Sequence, residues 1–82
     1  MLRKRYYAIF MKITIEYCEI WNYLPEATRV AAEIRDALDI GVELIAGSGG
    51  VFIIMYGENI VYNKRDSGVF PAEGAVVGLL RR

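Results

Sequence analysis

Cys18 is the one side chain in this 82-residue sequence with a ready capacity for covalent chemistry. Its thiolate is a nucleophile and a metal ligand, and because it is the only cysteine no disulfide can form within the chain. There is no histidine, which excludes His-ligated zinc and every Ser–His or Cys–His catalytic pair. Glu16 and Glu19 flank the thiol; as spaced carboxylates they read as solvated residues rather than as an acid–base couple. Ala46-Gly47-Ser48-Gly49-Gly50 invites a phosphate-loop reading. However, neither Lys-Ser nor Lys-Thr follows it, and it links two expected strands instead of opening a helix. Both features that let backbone N–H groups cradle phosphate are missing. Neither a metal nor a bound cofactor is expected.

The elements that must position Cys18 follow from periodicity. Tyr7, Ile9, Met11, Ile13, Ile15 and Tyr17 alternate with Lys12, Thr14 and Glu16, the pattern of a strand, firmest over 12–17. The alternation permits a start near Tyr6, an overhang able to pair with the edge of a second copy; the rival reading is an extension that frays ahead of Met11. Ala27, Val30, Ala31, Ile34, Ala37 and Leu38 then recur at three- and four-residue steps and predict a helix. Pro25 lets that helix begin no earlier than about Trp21, with Asn22 as a candidate cap, and Gly41 ends it. Residues 42–46 form a short strand, and residues 51–56, apolar throughout, a strand buried on both faces. Gly57-Glu58 suits a type II′ hairpin turn returning through 59–63. Residues 64–68 read as a loop, after which Pro71 opens a terminal helix with Ala75, Val76, Leu79 and Leu80 inward. The order is β-α-β-β-β-α.

Four segments in order carry a resemblance: Tyr17-Cys18-Glu19-Ile20-Trp21-Asn22-Tyr23, Gly47-Ser48-Gly49-Gly50-Val51-Phe52, residues 57–64, and Asp66-Ser67-Gly68-Val69-Phe70-Pro71. Together they resemble the selenoprotein W-related family, also called the Rdx or SelT/SelW/SelH family, over roughly residues 12–80. The resemblance implies an α/β (α+β sandwich) thioredoxin-like domain, with helices packed on a four-stranded mixed sheet, in the order read above. It also implies thiol redox work linked to glutathione, done by a Cys-x-x-Cys or Cys-x-x-selenocysteine pair at the first β–α loop. Cys18 matches the first member of that pair and Trp21 stands at the second. A dithiol can resolve a mixed disulfide internally and a single thiol cannot, so what carries over is a monothiol role for Cys18 with an external thiol as resolver. Three readings of Trp21 stay open: a genuine loss of the pair, a packing residue at the sheet end, or a selenocysteine codon, UGA, read as the Trp codon UGG.

The domain division is residues 1–11 as an N-terminal extension and 12–82 as the folded unit. Apolar residues make up 55% and charged residues 24%, which excludes intrinsic disorder. Ten Lys and Arg cancel ten Asp and Glu, removing the whole-protein argument for nucleic acid or an acidic membrane as partner. No apolar run approaches the roughly 18–20 residues of a membrane span. The apolar part behind Arg3, Lys4 and Arg5 is short and interrupted by Lys12, unlike a signal peptide. The expected setting is therefore the cytoplasm, where a lone thiol stays reduced. The expected partners are glutathione or protein thiols, and a second copy through the N-terminal strand. The rival to redox chemistry is a redox-silent binding module presenting Trp21, Tyr23, Phe70 and the loop with Gly49 and Gly50.

Overall fold

Alternation in the first strand is realised directly. In the computed structural model, which describes residues 12–82, Ile13 and Ile15 are fully buried while Thr14 and Glu16 point the other way. This strand, β1 (Ile13–Cys18), is followed by helix α1 (Leu24–Leu38), then β2 (Val42–Gly47), β3 (Phe52–Tyr56) and β4 (Asn59–Asn63). Two short helices close the chain, α2 (Lys64–Ser67) and α3 (Ala75–Leu80). The strands form one mixed sheet in the order β2-β1-β3-β4, with β1 parallel to β2 and the other pairs antiparallel. The expected strand overhang before Met11 lies outside the described residues. No helix among the described residues is long and apolar enough to cross a membrane.

The register sorts side chains into two faces, since residues directly opposite one another in a ladder share a face. Leu44, Ile15, Ile54 and Tyr62 form one row on the helix side. They meet Ala27, Val30 and Ile34 of α1 and Val76 and Val77 of α3 in the apolar core. Full burial of a valine or isoleucine side chain in this core contributes about 1.5–3 kcal/mol. The opposite face carries the rows Ile45–Glu16–Ile53–Asn63 and Glu43–Thr14–Met55–Ile60. Here Ile45 and Ile60 are exposed, and Ile53 and Met55 only half-buried. Residues 51–56 are thus not a strand buried on both faces: the helices cover one side of the sheet only.

Other local departures have equally specific causes. Helix α1 starts at Leu24 with Pro25 in its first turn, and Asn22 does not cap it; Asn22 instead takes a left-handed conformation (φ 59°) in the preceding turn. At the other end Asp39, also left-handed, receives the role expected of Gly41, its N–H donating to the Arg35 carbonyl. Ala37, expected inward, is exposed. Residues 64–67 make one helical turn rather than a loop, because the Asn63 side chain accepts the Arg65 N–H and so caps it. Pro71 does not open α3; that helix begins four residues later, and Val77 takes the inward place expected of Leu79. The hairpin turn is as expected, with positive φ at Gly57 and not at Glu58, the type II′ pattern.

Arg29 of α1 ties the segment before α3 to the rest. Its guanidinium donates to Glu26, Glu33 and the Pro71 carbonyl, while Glu33 accepts the Gly74 N–H. The hydrogen bond to Glu26, ahead of the opposing effect of burial, holds the Arg29 guanidinium above its usual range. A cation whose folded value is raised stabilises the fold until pH climbs through that value, so Arg29 keeps its contribution throughout the neutral range.

Candidate functional site

The chain runs off the end of β1 into a tight reversal. Asn22 donates its N–H to the Glu19 carbonyl (3.0 Å), closing the turn of residues 19–22, and Tyr23 donates to the Cys18 carbonyl (3.0 Å). Asn is among the few residues that tolerate the left-handed conformation this turn demands. Tyr23 then receives the N–H of Ala27, and α1 begins. Cys18 therefore sits a whole turn ahead of the helix rather than within its first residues.

A second loop closes over the same end of the sheet. Strands β2 and β3 lie on opposite sides of β1, so residues 48–51 must cross its C-terminal end to connect them. The crossing is bonded on both sides: the Cys18 N–H donates to Val51 C=O (2.8 Å) and the Glu19 N–H to Gly47 C=O (3.1 Å). Cys18 is 0% exposed, and it is not a member of the apolar cluster of the core. Glu16 and Glu19 are both exposed. Among the described residues, no group of three His, Cys, Asp or Glu side chains is placed to hold a metal ion.

Trp21 rests on this crossing loop. A Cβ added to Gly50 would stand 2.5 Å from Cζ3 of the indole, so a larger residue there must displace the ring. Gly50 is also at φ 76°, a conformation glycine adopts freely. From Trp21 an edge-to-face series runs inward: Trp21 to Tyr23 (6.0 Å between centroids), Tyr23 to Phe70 (4.8 Å) and Phe70 to Phe52 (5.1 Å). Such perpendicular contacts suit the ring quadrupole and add about 0.5–1.5 kcal/mol per pair beyond burial. The Lys64 ammonium stands 5.6 Å from the Tyr23 ring centre and 5.1 Å from that of Phe70. Tyr62 Oη, 2.6 Å from the Val69 carbonyl and 2.7 Å from Ser67 Oγ, fixes the segment that delivers Phe70.

The structure thus brings Cys18, Trp21, Tyr23, Gly50 and Phe70 to one end of the sheet. Tyr23 and Phe70 are half-buried and face inward as much as outward, whereas Gly49 is exposed with open space around it. The most outward apolar groups here are Ile20 (83% exposed), Trp21 (61%) and Val69 (60%). Ile20 and Val69 did not stand out in the sequence, although an isoleucine between Glu19 and Trp21 in a turn too short to bury it was the available signal. Lys64 stands in the sequence as the end of the 57–64 segment and the start of an expected loop, with no site role attached.

The family model of the Rdx family matches residues 12–82. Among solved structures, the chain is similar to a protein from Bordetella parapertussis, with 30% identity, a TM-score of 0.80, and coverage of 87% of this chain and 94% of that one. It also shares its fold with a selenoprotein W-related protein from Vibrio cholerae, with a TM-score of 0.75 at 22% identity, covering 87% of this chain and 92% of that one. No curated protein matches it. With every described residue inside the family match and a thioredoxin-like mixed sheet to go with it, the chain belongs to the Rdx family.

Proposed function

We propose that this chain is a cytosolic thiol-redox protein that works through Cys18 alone, as a monothiol, with glutathione as co-substrate. The observation that carries the reading is the position of Cys18: the last residue of β1, at the strand-to-helix junction, and first in a Cys-x-x-Trp segment. In the first step the Cys18 thiolate attacks the glutathione sulfur of a glutathionylated substrate thiol. The substrate leaves as its thiolate and takes a proton from water, and Cys18 holds the glutathione as a mixed disulfide. In the second step a free glutathione thiolate attacks that disulfide, giving oxidised glutathione and returning Cys18 to the thiol. Because Cys18 has no exposed surface, the first step waits on the opening of residues 19–22 and 48–51, and its rate follows the fraction of time they are open.

Incubation of the folded protein with oxidised glutathione is the direct test. One glutathione per chain is expected by mass spectrometry, formed many-fold more slowly than on the denatured chain, and none on Cys18→Ala. Alanine is the better replacement than serine, which would place a hydroxyl at a fully buried position. Absence of any mixed disulfide on the folded protein overturns the reading. Codon 21 of the source gene is read alongside: UGG is expected, and UGA would put a selenol three residues from Cys18 and replace monothiol chemistry with that of a pair.

A second reading is favoured by the complete burial of Cys18 beside the exposed Ile20, Trp21 and Val69. In it the protein is redox-silent and binds a partner protein through this apolar end. A thiol that stays unmodified on the folded chain supports that alternative.

A further inference from the structure

The sheet has two outer strands, and they differ in how well they are protected. The β4 edge is five residues long, its pairing with β3 slips between Ile54 and Met55, and it runs directly into the capped turn of α2. Shortness, a bulge and a covering element are the usual means of blunting an edge. Among the described residues the β2 edge has neither a bulge nor a covering element. Its six residues contain neither Pro nor Lys, its register against β1 is unbroken, and its single charge, Glu43, is tied to Lys12 at 3.3 Å. Among the described residues only β1 pairs with β2, and within them the outward row of backbone N–H and C=O groups has no strand partner.

Beside that edge lies a groove of about 330 Å³ between β2 and α1, with Ala31 and Ala32 on the helix side and Val42 and Leu44 on the strand side. The two alanines leave room for a close approach. Arg35 and Asp36 line the same groove; both are exposed, and neither takes part in an ion pair among the described residues. One cation and one anion side by side at a groove are a self-complementary pair: under a two-fold axis, Arg35 of each copy meets Asp36 of the other.

We propose that the β2 edge is a homodimer surface, pairing antiparallel with β2 of a second copy to give one continuous eight-stranded sheet. A two-fold axis normal to the sheet keeps both sets of helices on the same side and lays the two α1 helices next to each other over the joined grooves. In the registers centred on Leu44 or Ile45, Glu43 faces Ile45 or Gly47 of the second copy, so no like charges are opposed. Stacking two copies through the uncovered sheet face would instead bring Glu16 and Glu43 of one copy against those of the other. The proposal does not depend on the chemistry of Cys18.

Sedimentation velocity on the full chain across a wide micromolar range tests it. The unmodified protein is expected to dimerise. Arg35→Asp and Asp36→Arg, both at exposed positions, are each expected to weaken the dimer about tenfold or more, and the double variant to recover most of that loss. A chain that is monomeric throughout overturns the proposal. So does a dimer indifferent to either single change, or a double variant no tighter than the singles.

Discussion

Phe52→Ala is expected to leave most of the chain unfolded at room temperature. Phe52 is the largest fully buried side chain among the described residues, at 1% exposure, and its ring is the inner end of the aromatic series that reaches Trp21 through Phe70 and Tyr23. Truncating a buried phenylalanine costs about 3–5 kcal/mol, because the lost transfer free energy is joined by the cavity left behind. A domain of this size usually has only about 3–5 kcal/mol to lose. The expected result by far-UV circular dichroism is a urea transition shifted to near zero denaturant. A variant that keeps a cooperative transition close to that of the parent would mean that the core closes around the gap and that Phe52 is not its keystone.

Gly50→Ala is expected to have the next largest effect, and one with a distinctive signature. The substitution meets two obstacles: a left-handed backbone (φ 76°) and an indole 2.5 Å from the new methyl group. The backbone obstacle alone costs of order 1–3 kcal/mol. Gly49→Ala supplies the control, since Gly49 is also left-handed (φ 70°) but has nothing within 4 Å of its position. Both variants should therefore lose stability, while Gly50→Ala alone should displace Trp21. As Trp21 is the only tryptophan, intrinsic fluorescence reports it directly. A red-shifted emission and faster thiol modification at Cys18 are expected for Gly50→Ala and not for Gly49→Ala. Identical spectra for the two would show that the ring does not depend on the loop beneath it.

What was legible in the sequence is what local patterns determine. The period of two in 13–17 located β1, the three- and four-residue steps through Val30 and Ile34 located α1, and Gly57-Glu58 located the hairpin and its turn type. Where the reading failed, a distant or competing interaction decided. Nothing in the run Val51-Phe52-Ile53-Ile54-Met55-Tyr56 tells that only one sheet face receives helices; that depends on where α1 and α3 come to lie. Asn63 capped residues 64–67 through its side chain, and Asp39 took a left-handed turn ordinarily left to glycine. At the candidate site, the place of Cys18 at the strand-to-helix junction was legible, and its burial was not. The crossing of residues 48–51 over the end of β1, which takes up the Cys18 N–H, is likewise a property of strand order rather than of neighbouring residues.

The crossing also orders events in time. Strands β3 and β4 are joined by a two-residue turn, and such a hairpin forms in about 1–10 μs. β1 finds its two neighbours only across long stretches of sequence, Ile15 meeting Leu44 on one side and Ile54 on the other, and contacts so remote in sequence slow the search. The strand at the centre of the sheet is therefore expected to be the last to lock, and pulse-labelled amide exchange should find its protons protected after those of the hairpin. Until then the sole thiol of the chain is open to every oxidant in solution. The newly made protein, not the mature one, is where Cys18 is most vulnerable.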